Sequence, residues 1–99
     1  MIKHTVFFRL KHASNSDEEK LFLKKANDLA NISGVKNFSC LRQISSKNNF
    51  TFGLYMEFDD QSRYDYYNDH ADHLEFVENI WLKEVKDFME IDYVDYSQS

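Results

Sequence analysis

The chain has 99 residues, 42% of them hydrophobic and 16% aromatic, and a formal net charge of −5. That suffices for one domain, read over residues 1–99, with a two-layer core, but it is too short to cover both faces of a sheet. The acidic balance opposes nucleic acid and anionic membrane as partners, and two glycines exclude a P-loop or dinucleotide fingerprint. With no apolar run near a membrane span, a cytoplasmic location is expected.

Ile2 to Lys11 alternates, with Ile2, His4, Val6, Phe8 and Leu10 on one face, so a strand with one apolar side is predicted. His4 is the only polar residue on that side. It is either a satisfied core histidine or part of a cavity wall, whereas His12 beyond the strand end is expected to be solvated. Ser16-Asp17-Glu18-Glu19 has the form of a capping box, and Phe22, Ala26 and Leu29 recur at helical spacing, with Gly34 as the stop. Lys20, Lys24, Lys25 and Asp28 fall on the wet side.

Val35 to Ile44 reads as a second strand with Phe38, Cys40 and Ile44 on one side, followed by a turn at 45–49. Cys40 is the single cysteine, which excludes an internal disulfide, and it reads as a small buried hydrophobe. Phe50 to Phe58 alternates most cleanly, with Phe50, Phe52, Leu54, Met56 and Phe58 facing one way and Thr51, Gly53, Tyr55 and Glu57 the other.

Residues 64–81 hold three of the six tyrosines and two of the four histidines. Phased as one continuous helix, this stretch puts Tyr66, His70, His73, Val77, Ile80, Trp81 and Phe88 on the inward side, with Leu74 at its edge. Imidazoles on a buried stripe need partners, and His4 is the one histidine elsewhere that could meet them. Met89 to Tyr96 alternates as a last strand, and a frayed tail is expected after it.

Strand, helix, strand, strand, helix, strand is the order of a ferredoxin-like α+β protomer, a four-stranded antiparallel sheet with its helices on one face. The other face keeps Phe7, Tyr55 and part of the last strand, too apolar to leave wet, so a homodimer closed through the open sheet face is expected.

Lys3-His4-x-Val6-x-Phe8, taken with Tyr67-x-x-His70-x-x-His73 and the aromatic stretch that follows, resembles the stress-responsive dimeric α/β-barrel (Dabb) family, from Ile2 to about Tyr96. The resemblance implies a protomer whose sheet pairs with that of a second subunit to form a barrel. One plant member of the family is a polyketide cyclase that performs an intramolecular aldol condensation without metal or organic cofactor. By motif its roles fall on His4, Tyr67 and His73 as catalytic groups, with His70 behind them. The family usually has proline where this chain has Ala71, so straight phasing favours Tyr66 and the family alignment favours Tyr67. A histidine can take a proton alpha to a carbonyl, and a tyrosine hydroxyl can donate to the enolate oxygen.

Two readings follow. In the first, a small apolar carbonyl compound binds between sheet and second helix, against Val6, Phe8, Tyr66, His70, Val77 and Trp81, with cofactor-free acid/base chemistry. In the second, the chain is a non-enzymatic stress or assembly protein whose histidines are structural. Metal binding through His70 and His73 with His4, Asp69 or Asp72 ranks below both, since two histidines three apart form no fixed-spacing ligand set, and no metal or other cofactor is expected. RNA stacking on Phe7 and Tyr55 ranks last, because the charge opposes it.

Overall fold

A computed structural model describes residues 1–98. Its strands are β1 (Ile2–Leu10), β2 (Lys36–Arg42), β3 (Phe52–Phe58) and β4 (Val85–Tyr93). Its helices are α1 (Asp17–Asn27), α2 (Gln61–Asp69), α3 (Ala71–Phe76) and α4 (Leu82–Glu84). A 3-10 turn, Asp28–Asn31, extends α1, and a π-helical turn, Val77–Trp81, joins α3 to α4. The sheet is antiparallel in the order β2-β3-β1-β4, which is the expected ferredoxin-like arrangement.

Alternation carries the central strands. Val6 lies opposite Leu54, His4 opposite Met56 and Phe8 opposite Phe52, and all six are buried. The first helix begins where its cap requires: Ser16 Oγ accepts from the Glu19 amide at 3.2 Å, and Phe22, Ala26 and Leu29 are buried against the sheet. Glu19 itself is buried and accepts from the Asn15 amide at 3.3 Å. This helix stops at Asn27, before Gly34, which instead supplies a left-handed turn at φ 95° leading into β2.

The second helical region departs from straight phasing. It breaks at His70, whose ψ of 137° is extended and whose Nδ1 accepts from the Asp72 amide at 3.0 Å. A histidine here does the work of an N-cap and restarts the helix without proline. The π turn and short α4 then deliver the chain into β4 at Val85, earlier than expected, so Phe88 is a strand residue opposite Phe8 rather than a helical one. Ile44 also differs: it lies beyond β2 and is exposed. His12 is not merely solvated, since its Nε2 sits 2.6 Å from Glu84 Oε1, beside the bond that the Lys11 amide donates to the Glu84 carbonyl at 2.9 Å. The last strand ends at Tyr93 rather than at Tyr96, Tyr96–Gln98 forms a 3-10 turn that reaches into the tail expected to fray, and Ser99 lies outside the described residues.

On the face away from the helices, Phe7, Tyr55, Met89, Ile91 and Tyr93 follow from the strand registers, with Met89 and Tyr93 half-exposed. The helix face of β4 carries Phe88, Glu90 and Asp92, opposite Phe8, Val6 and His4 respectively. Since β4 is an edge strand, that side of the helix layer is open.

Candidate functional site

Between the sheet and the second helical region lies a cavity of about 220 Å³. Its apolar walls come from Val6, Leu29, Leu54, Phe76, Val77 and Trp81, with Leu82 and Phe88 toward the open side. Its polar groups are His4, Tyr67, His73 and Glu90. An apolar cavity of about 150 Å³ can hold a benzene ring, so this volume accommodates a substituted ring or a short chain.

His4 is 5% exposed and held from behind. Its Nδ1 lies 2.6 Å from Asp92 Oδ1, and the Tyr64 hydroxyl donates to Asp92 Oδ2 at 2.8 Å while its oxygen sits 2.8 Å from the same Nδ1. A carboxylate accepts, so the proton at this contact belongs to Nδ1, and in the neutral ring Nε2 is the acceptor. Nε2 has no protein partner among the described residues, and no side-chain nitrogen or oxygen among them is both buried and unpaired, so Nε2 opens to the cavity. Burial, followed by the bond to Asp92, raises the Tyr64 phenol and keeps it a donor.

Tyr67 is 2% exposed, with its ring 6.3 Å from that of His4 and 4.5 Å from that of His73. Burial, with a smaller contribution from Glu90, pushes its phenol up and holds it protonated. His73 Nδ1 donates to the Asn68 carbonyl at 3.1 Å, which fixes this ring too with Nε2 as the acceptor. Two imidazole acceptors and one phenol donor therefore meet in one cavity, the elements of general acid/base work.

Of the residues singled out from the sequence, His4, Val6, Tyr67, His73, Val77 and Trp81 line this cavity. Phe8, Tyr66 and His70 do not. Phe8 is fully buried behind Trp81, with ring centroids 5.0 Å apart. Tyr66 is 52% exposed and packs edge-on against the His70 ring, because the break at His70 rotates the following turn and leaves Tyr67 on the inward side. His70 serves as the cap of the helix that carries His73. Tyr64, Glu90 and Asp92 escaped the sequence reading. Tyr64 lies one turn before Tyr67 on the same face, a spacing that was available, whereas Asp92 meets His4 only through strand register.

Burial depresses the His73 imidazole below its ordinary value, with the Asn68 bond opposing and His4 adding to the depression. Below about pH 6.5 the unfolded chain therefore binds more protons at this position than the folded chain. The stability contributed by neutral His73 is present above that pH and lost as the pH falls through it. In urea unfolding between about pH 7.5 and 5.5, His73→Gln should lose less stability than the parent. Equal losses would show that this imidazole is not held neutral.

Among the described residues no three His, Cys, Asp or Glu side chains are grouped to hold a metal ion, and no helix is long and apolar enough to cross a membrane. A four-stranded antiparallel sheet with helices on one face and an imidazole–phenol cavity between the layers defines a ferredoxin-like α+β protein. The family model for the stress-responsive A/B barrel domain, Dabb, matches residues 2–95, and the chain belongs to that family. It is similar to a Dabb family protein of ferredoxin-like fold from Mesorhizobium loti, at 56% identity over 94% of each chain and a TM-score of 0.92. It also shares its fold with a dimeric ferredoxin-like protein of unknown function from Thermobifida fusca, at 21% identity over 94% of this chain and 89% of that one, with a TM-score of 0.78. The hydroxynitrile lyase from Passiflora edulis is a further structural neighbour, at 16% identity over 93% of this chain and 90% of that one, with a TM-score of 0.80. No curated protein matches the chain.

Proposed function

We propose that this Dabb protein binds a small apolar carbonyl compound in the cavity between sheet and second helical region and acts on it by cofactor-free acid/base chemistry. The observation that carries this reading is the convergence of His4, Tyr67 and His73 in one apolar cavity, with His4 braced by Asp92. The Tyr67 hydroxyl donates to the substrate carbonyl oxygen, and Nε2 of His4 or His73 takes a proton from the adjacent carbon. The use of this fold by a hydroxynitrile lyase supports placing chemistry on it. Apolar residues on the open sheet face, together with the dimeric state described for the Thermobifida fusca protein, support pairing of two subunits through that face.

A second reading keeps the histidines structural, and it is favoured by the full pairing of buried polar side chains among the described residues. Ligand binding separates the two. Acetylacetone and acetophenone should quench Trp81 fluorescence saturably, and Tyr67→Phe should weaken that binding about tenfold by removing the donor to the carbonyl. Absence of any saturable response in the folded parent protein would favour the structural reading.

A further inference from the structure

Resting on that reading and narrowing its substrate class, we propose that Glu90 makes the cavity reject anions. The site then takes a neutral or cationic carbonyl compound that carries a second group able to donate a hydrogen bond. Glu90 lies on the edge strand β4 opposite Val6, on the helix side, and lines the cavity while remaining exposed to solvent. Phe88, two residues before it, is half-exposed on the same wall, so the mouth of the cavity runs over these two side chains. A ligand entering between sheet and helix passes Glu90.

The donors and acceptors around the cavity are unbalanced. His4 uses Nδ1 on Asp92 and His73 uses Nδ1 on the Asn68 carbonyl, so each ring offers an acceptor. Glu90 is acceptor-only and makes no hydrogen bond or ion pair with the described residues, while the donors among the side chains lining the cavity are the Tyr67 hydroxyl and the Trp81 indole N–H. Three acceptors against two donors leave the ligand to supply a further proton, and Glu90 is the acceptor at the mouth that lacks one. The carbonyl oxygen satisfies Tyr67; a hydroxyl, phenol, amide or ammonium on the same molecule satisfies Glu90.

Charge points the same way. Among the described residues no lysine or arginine lines the cavity, and behind His4 stands a second carboxylate, Asp92. The field of Glu90 reaches the cavity interior, since it favours the protonated forms of both Tyr67 and His73. A carboxylate or phosphate on the ligand would meet like charge with no cation to offset it, whereas an ammonium would be attracted.

Three congeners test this on the full chain: 4-hydroxyacetophenone, 4-(aminomethyl)acetophenone and 4-acetylbenzoate, titrated by calorimetry against the parent and Glu90→Gln. In the parent the benzoate should bind about tenfold more weakly than the phenol, and added salt should narrow that gap. In Glu90→Gln the gap should shrink to about two- to threefold, as the benzoate binds more tightly and the phenol, which loses its charged acceptor, binds somewhat more weakly. Equal binding of phenol and benzoate by the parent, or a gap unchanged in the variant, overturns the inference while leaving the cavity a ligand site. Binding of none of the three removes the ligand-site reading itself, and the inference with it. Exposure of Glu90 makes the variant's folding secure, and a thermal melt checks it.

Discussion

Phe8→Ala is expected to cost about 3–5 kcal/mol of folding stability, a large part of the roughly 5–15 kcal/mol that holds a domain of this size. Phe8 is 0% exposed and its ring meets three others, Phe22 and Phe52 at 5.7 Å and Trp81 at 5.0 Å between centroids. The first belongs to α1, the second to β3 and the third to the π turn, so removing this ring opens a void where every layer of the core meets. Leucine retains most of the buried apolar volume, and Phe8→Leu should cost clearly less. Urea unfolding of both variants measures the difference. A loss below about 1 kcal/mol for the alanine variant would mean that the surrounding rings collapse into the space and that Phe8 is not the centre of packing.

Under the proposed function, Asp92→Asn is expected to lower turnover of a β-diketone by about 10²- to 10⁴-fold, with stability reduced by only about 1–3 kcal/mol. The carboxylate accepts from His4 Nδ1 at 2.6 Å and from the Tyr64 hydroxyl at 2.8 Å, and it is this acceptor-only character that leaves Nε2 of His4, the proposed base, toward the cavity. An amide can donate as well as accept, so the ring is free to take the opposite tautomer and present an N–H where a base is needed. Steady-state kinetics together with a urea melt separate loss of orientation from loss of folding. Parent-like turnover in a folded Asp92→Asn protein would place the base elsewhere, with His73 the remaining imidazole in the cavity.

What could be read from the chain beforehand was whatever repeats at short range. The strict alternation of Ile2 to Leu10 and Phe52 to Phe58 pairs into the centre of the sheet, and the Ser16 box starts α1 in place. His4 stood out because one polar residue on an apolar strand face demands a partner. Its partner did not stand out. Asp92 belongs to the polar half of an alternating strand, a position that reads as solvent-facing until the pairing of β1 with β4 sets it beside His4. Glu90 was hidden for the same reason.

In the second helical region the local helical period does not hold over the whole stretch. Uninterrupted helical phasing places Tyr66 with the histidines and carries Phe88 on the same face. One hydrogen bond, from the Asp72 amide to His70 Nδ1, breaks that phase and brings Tyr67 inward, as the family alignment implied. The π turn then shortens the distance to β4, and Phe88 becomes the strand residue that faces Phe8.

Imidazole ¹⁵N NMR of the four histidines, with and without acetylacetone or 4-hydroxyacetophenone, tests the central claim most directly. His4 and His73 should both appear as the Nδ1–H tautomer, and both Nε2 signals should move on saturation while His12, paired with Glu84 at the far strand end, stays in place. Imidazoles that hold their signals through every addition, or a His4 ring protonated at Nε2, would contradict a working pocket and leave the histidines as parts of the core.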